Sequence, residues 1–318
     1  MAHASAGDDG PLTPEERAHL SALRSATSLA DLVDATGLDD PHEAYFAAKR
    51  RHRDLRGRRL AADPPPSDAP GAPTTVDGVA YRVHGVTHAD TDAERAHVRG
   101  IASTAADEGA AVYCEQGIRS LYLGDVPVAC AMDDYRRALR ECARLDAESH
   151  LSALEHDGVD GLVADLTRVS DRFREATFAL VEAGGEVYGD RFRRALGDLA
   201  TAFTRGHEGA ALADDYESFR LTRAAAEDPD RLPALVAYYD RAFLPQPVER
   251  EWLRAHDPEL ELVTHARNER MADYAVFHAD ADVDAVHLVV GAAHVPGVEY
   301  YLRRHRDGDR PLDGFAPL

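Results

Sequence analysis

The sequence predicts an α/β fold. A mixed or mostly parallel central sheet is flanked by helices, with a large helical insertion and a small N-terminal helical segment. Three observations carry this. Two short strand-like segments, "VAYRVHG" (79–85) and "AAVYC" (110–114), bracket a helix-length stretch (91–109), and a crossover of that length favours parallel strands. A third apolar run, "DAVHLVVG" (284–291), returns near the other end of the chain. Between them, from about 132 to 244, apolar residues recur three and four apart, the period of a helix face.

In chain order, "TPEERAHLSALRS" opens a helix with Thr13 as N-cap, Pro14 at the first helical position and acids in the first turn. "SLADLVDATG" is a second helix, stopped by Gly37. "PHEAYFAAKRRHRDLRGRRL" is a third, with seven cations from Lys49 to Arg59. These read as a solvated face or one docked on acidic surface. Residues 1–60 form the N-terminal segment, and the five prolines of 61–75 make an extended linker. Residues 76–318 are then expected to be the α/β core, with the insertion at about 131–257 a candidate lid, homodimer surface or both. Thr91 or Asp92 caps the first core helix and Gly109 ends it. "PELELVTHARNERMADYAVFHADAD" reads as one long helix and "PGVEYYLRRHR" as the last.

The 318 residues are 44% hydrophobic, enough for a sizeable core, and no apolar run approaches the roughly 18 residues of a membrane span. The N-terminus lacks the basic start and apolar stretch of a secretory signal, so a cytoplasmic protein is the expectation. Lys49 is the only lysine, and 36 basic against 57 acidic residues leave a net charge of −21. Such a chain is expected to be a poor general binder of nucleic acid. High salt screens its self-repulsion, which points to a halophilic setting. Cys114, Cys130 and Cys142 have no ligand-like spacing and read as free thiols.

The chemistry concentrates at strand ends. The first core strand ends "VHGVTHAD", Gly85 then His88, and the last ends "VVGAAHVP", Gly291 then His294. Sites in open α/β sheets form beyond the carboxyl ends of parallel strands, and glycine lets the backbone turn and approach a ligand there. The middle strand contributes Glu115, with Arg119 four residues on. Two histidines and a carboxylate are a common set for a divalent transition metal such as Mn, Zn or Co, with positions left for water and substrate. Either histidine by itself reads as a turn residue. Arg267, Met271, Ala275 and His278 share one helix face. Arg267 on it needs an acidic partner such as Glu115, or stabilises a negative oxygen in a transition state. His84 and His287, inside strands, pack or face solvent, and His150, Glu155 and His156 read as surface.

Taken together, Gly85 and His88, Glu115 and Arg119, Arg267 with Asn268, Met271 and Ala272, and Gly291, His294 and Gly297 resemble the motifs of the TraB family. That family includes the PrgY pheromone-shutdown proteins and the Tiki proteases. The resemblance covers 79–125 and 260–305. It implies an α/β core of the erythromycin-esterase and ChaN-like superfamily, and a metal-dependent hydrolase of peptide or other amide or ester bonds. The alternative it implies is a non-catalytic regulator that binds a peptide or haem. Many members carry membrane segments near the C-terminus, and none is expected in this sequence.

Overall fold

The computed structural model describes residues 12–62, 73–89, 91–115, 149–152 (backbone only), 196, 212–213, 215–279 and 283–312. The N-terminal helices are α1 (Pro14–Ser25), α2 (Leu29–Thr36) and α3 (Pro41–Ala62). Thr13 and Ser28 close capping boxes with Glu16 and Asp31, and Gly37 ends α2 in the left-handed conformation. Strands β1 (Thr74–Val76) and β2 (Val79–Val86), helix α4 (Asp92–Glu108) and strand β3 (Ala111–Glu115) follow. Strand β4 (Ser149–Ser152) lies beyond. Helices α5 (Tyr216–Glu227), α6 (Leu232–Ala242), α7 (Gln246–His256), α8 (Pro258–Glu261) and α9 (Arg267–His278) lead to strand β5 (Ala285–Gly291) and helix α10 (Val295–Arg306).

The sheet order is β1-β2-β5-β3-β4; β1 is antiparallel to β2 and the other pairings are parallel. The α/β expectation therefore holds, with three adjustments. Strand β4 interrupts the block read as helical, so His150 lies on a strand. Strand β1 occupies the end of the expected linker, and α3 runs on to Ala62. The long helix expected from 258 is broken by a π-helical turn at Leu262–Ala266. The rest of the insertion and Cys130 and Cys142 lie outside the described residues.

Alternation along the strands divides the core. Tyr81, Val83, Leu288 and Val290 pack under Met271 and Ala275 of α9 and Val298 and Leu302 of α10. Val86, Val112, Cys114 and Val289 face Val98, Ile101 and Ala105 of α4. Buried apolar surface of this kind supplies about 25 cal/mol per Å².

The N-terminal helices share a cluster with α7, in which Leu23, Leu32 and Tyr45 meet Val248, Trp252 and Leu253. The Tyr45 ring stacks on Trp252 at 4.4 Å. The basic stretch of α3 is docked on acids: Lys49 on Glu249 at 2.9 Å, Arg53 on Asp215 at 2.7 Å and Arg56 on Asp240 at 2.6 Å.

Candidate functional site

The chain leaves β2, crosses through α4 and enters β3 with one slot left between them. β5 fills that slot, pairing Val86 with Gly291 and Cys114 with Val289. The carboxyl ends of three parallel strands are therefore neighbours, the position where open α/β sheets bind ligands. The amide of Ala292 donates to the Val86 carbonyl at 2.9 Å and that of His294 to the Gly291 carbonyl at 2.8 Å, so β5 turns tightly at its end. A Cβ on Gly85 would meet the Ala292 Cα at 3.2 Å, so glycine permits this close approach.

His88 sits in the loop after β2 with φ of 62°, a left-handed backbone that costs an L-residue about 1–2 kcal/mol. Glu94 in the first turn of α4 holds it there. Its Oε1 accepts from the Thr87 amide at 2.5 Å, the Thr87 hydroxyl at 2.6 Å and the His88 amide at 3.1 Å. Glu94 is a site residue that the sequence reading missed. Its signal was the Thr91-x-x-Glu94 spacing of a capping box; Thr91 caps the Glu94 amide, and the carboxylate reaches back to the loop.

Glu115, the last residue of β3, is 3% exposed. Its Oε1 accepts from Arg267 Nη2 of α9 at 2.5 Å and its Oε2 from the Gly291 amide at 2.8 Å. Burial alone would raise its pKa, but His294, protonated in the acid range where Glu115 titrates, together with Arg267, His88 and the Gly291 amide, holds it at about 2. Desolvation pushes His294 down to about 4 against the pull of Glu115. At neutral pH the carboxylate is charged, Arg267 balances it and the imidazole is neutral.

His294 is oriented from behind. Its Nδ1 is 2.7 Å from Asn268 Oδ1, and its Nε2 is 3.4 Å from Glu115 Oε1. Asn268 Nδ2 donates to Gln246 Oε1 at 3.0 Å, and His265 Nδ1 meets the same oxygen at 3.1 Å. The π-helical turn makes this possible: His265, Ala266, Arg267 and Asn268 are four consecutive buried residues, which an unbroken amphipathic helix would not give.

The three predicted ligands converge on Gly291. A Cβ there would lie 3.0 Å from His88 Nε2, 3.4 Å from His294 Cδ2 and 3.5 Å from Glu115 Oε2. Arg267, Asn268, Gly85 and Gly291 join them. Arg119 lies outside the described residues. His84 and His287, expected to pack or face solvent, are buried on the α4 side, where His84 Nε2 meets His287 Nδ1 at 3.1 Å. His287 Nε2 then meets Glu108 at 3.1 Å.

Among the described residues, no group of three or more His, Cys, Asp or Glu stands close enough together to hold a metal ion. Of the three predicted ligands, it is the His294 and Glu115 atoms that stand at a spacing to compare with that of two ligands on one ion. Two metal–ligand bonds of about 2.1 Å at a near-tetrahedral angle put their donor atoms about 3.4 Å apart, the His294–Glu115 separation. A carboxylate oxygen has a second lone pair beside the one that Arg267 engages.

No protein-family model, curated protein or solved structure matches the chain.

Proposed function

We propose that the chain is a metal-dependent hydrolase of peptide or other amide or ester bonds, as its TraB-like motifs imply. His88, Glu115 and His294 would hold a divalent ion such as Mn, Zn or Co. The observation that carries this reading is their convergence on Gly291 at three adjacent strand ends. A bound ion would polarise a substrate carbonyl and make a water more acidic. The protein's own groups divide the remaining work. Arg267 sets a guanidinium beside the carboxylate, where it can donate to an oxygen that gains negative charge. Asn268 fixes the His294 ring, and Glu94 fixes the loop that presents His88.

One observation favours a second reading, a peptide- or haem-binding regulator without turnover. Both oxygens of Glu115 already have protein donors, Arg267 and the Gly291 amide, so the carboxylate is satisfied without an ion. A screen of peptides and esters in high salt separates the two. Turnover that disappears in His88→Ala/His294→Ala supports the hydrolase. Tight peptide binding without cleavage, or a Soret band after haem addition, supports the regulator.

A further inference from the structure

We propose that Gln246 and His265 are positioning residues that set the tautomer of His294, so that its Nε2 meets the site as a lone pair and not as an N–H. The inference rests on the reading of His294 as a working member of the site. It starts from one atom: His265 is 2% exposed, and its Nε2 has no hydrogen-bond partner among the described residues. An orphaned buried N–H is rarer in native proteins than an acceptor with an unused lone pair. The neutral ring therefore carries its proton on Nδ1 and donates it to the Gln246 oxygen 3.1 Å away.

The rest of the chain follows by complementarity. Gln246 is 4% exposed and its oxygen faces His265, so Asn268 must meet that oxygen with its NH2, at 3.0 Å. Asn268 then turns Oδ1 to His294, which can answer at 2.7 Å only by donating from Nδ1. Nε2 is left as a lone pair 3.4 Å from Glu115 Oε1. Two acceptors at this spacing can share a cation beyond the one Arg267 supplies, either a metal ion or a proton taken from a substrate. The imidazole is thereby set up as a ligand or base and not as an acid.

Two further contacts hold the relay in register. A Cβ on Gly297 would fall 2.1 Å from Asn268 Nδ2, so α10 can pack here only with glycine at that position. The Phe243 ring lies edge-to-face with His265 at 5.3 Å.

The test is long-range nitrogen–proton correlation NMR of the full chain labelled with 15N-histidine. It is recorded at pH 7.5 in high salt after treatment with chelator, and His294 is assigned by its loss in His294→Ala. The proposal predicts that wild-type His294 is protonated at Nδ1. It further predicts that Gln246→Met, or His265→Phe should the first variant not fold, mixes the tautomers and populates Nε2–H. Asn268→Asp, which can only accept, should keep Nδ1–H. An Nε2–H tautomer in wild type, or an unchanged tautomer in the folded Gln246 or His265 variant, overturns it. The readout needs neither metal nor substrate, so it can fail or succeed independently of the hydrolase reading. Where that reading holds, Gln246→Met should also weaken Zn²⁺ or Mn²⁺ binding about 10–100-fold, the usual effect of losing a residue behind a ligand.

Discussion

At Gly291 a single methyl group would touch all three candidate ligands, at 3.0 Å from His88, 3.4 Å from His294 and 3.5 Å from Glu115. The side chains named are ring and carboxylate ends that can give way, so Gly291→Ala should fold and still lose the ligand space. The expected outcome is a melting temperature within a few degrees of wild type with bound metal and hydrolase activity abolished. Retention of both would show that the centre lies elsewhere. Gly297→Ala acts differently, because its methyl would press on Asn268 Nδ2, Cγ and Cβ at 2.1, 2.6 and 3.0 Å. Overpacking of this kind costs about 1–3 kcal/mol. Thermal denaturation should show the loss, and the His294 tautomer should become mixed. Glu115 and Arg267 form a nearly fully buried pair. Arg267→Met would leave that carboxylate buried with one donor fewer, a loss of about 3–5 kcal/mol that a denaturant titration would read directly.

Among the elements, α3 and α7 show how the N-terminal segment is fastened. Lys49 Nζ donates to Glu249 at 2.9 and 3.0 Å and to the Tyr45 hydroxyl at 2.9 Å, and the Leu244 amide donates to Glu249 at 2.7 Å. Lys49→Met should cost about 3–5 kcal/mol because Glu249 stays buried without its cation. Removing both charges in Lys49→Met/Glu249→Leu should recover much of it. Equal losses in the single and double variants would mean that the pair is not coupled. Thr91 and Gly109 bracket α4, and the continuous apolar run of β5 is what a strand buried on both faces requires. Those signals located Gly85, Glu115 and Gly291, and Arg267 on the core face of α9. Strand β4, four residues reading "SHLS", has no period to detect. The π-helical turn leaves no compositional trace, so the burial of His265 was hidden. Gln246 reaches the site because the start of α7 packs against α9, a tertiary neighbourhood that no local pattern encodes.

The whole molecule carries a net charge of −21, and its titrating groups act against that charge in acid. Desolvation holds His52 and His265 at about 4 and His84 at about 3, all below their ordinary 6.5. Between those values the unfolded chain binds protons that the folded chain refuses. Their contribution to stability is therefore complete above about pH 6.5 and is lost as pH falls toward 4. Glu115, held at about 2 by His294, Arg267 and His88 in spite of its burial, adds a loss in the same direction from about 4.5 downward. Melting in molar KCl, where self-repulsion is screened, should show stability falling from pH 7 to 5. A flat or rising profile would contradict these shifts. Salt at fixed pH 7.5 should raise the melting temperature, because the long-range repulsion is screened while buried pairs such as Arg267–Glu115 are screened much less. Among the described residues the sheet has four parallel strands and one antiparallel strand beside them, and no helix is long and apolar enough to cross a membrane. The proposed function turns on three strand ends sharing one cation. The direct measurement is metal content by mass spectrometry, on protein purified in high salt without chelator or nickel resin, with wild type set beside His294→Ala. Near-stoichiometric divalent metal in wild type and none in the folded variant is the predicted result; equal metal in both, or none in either, would contradict it.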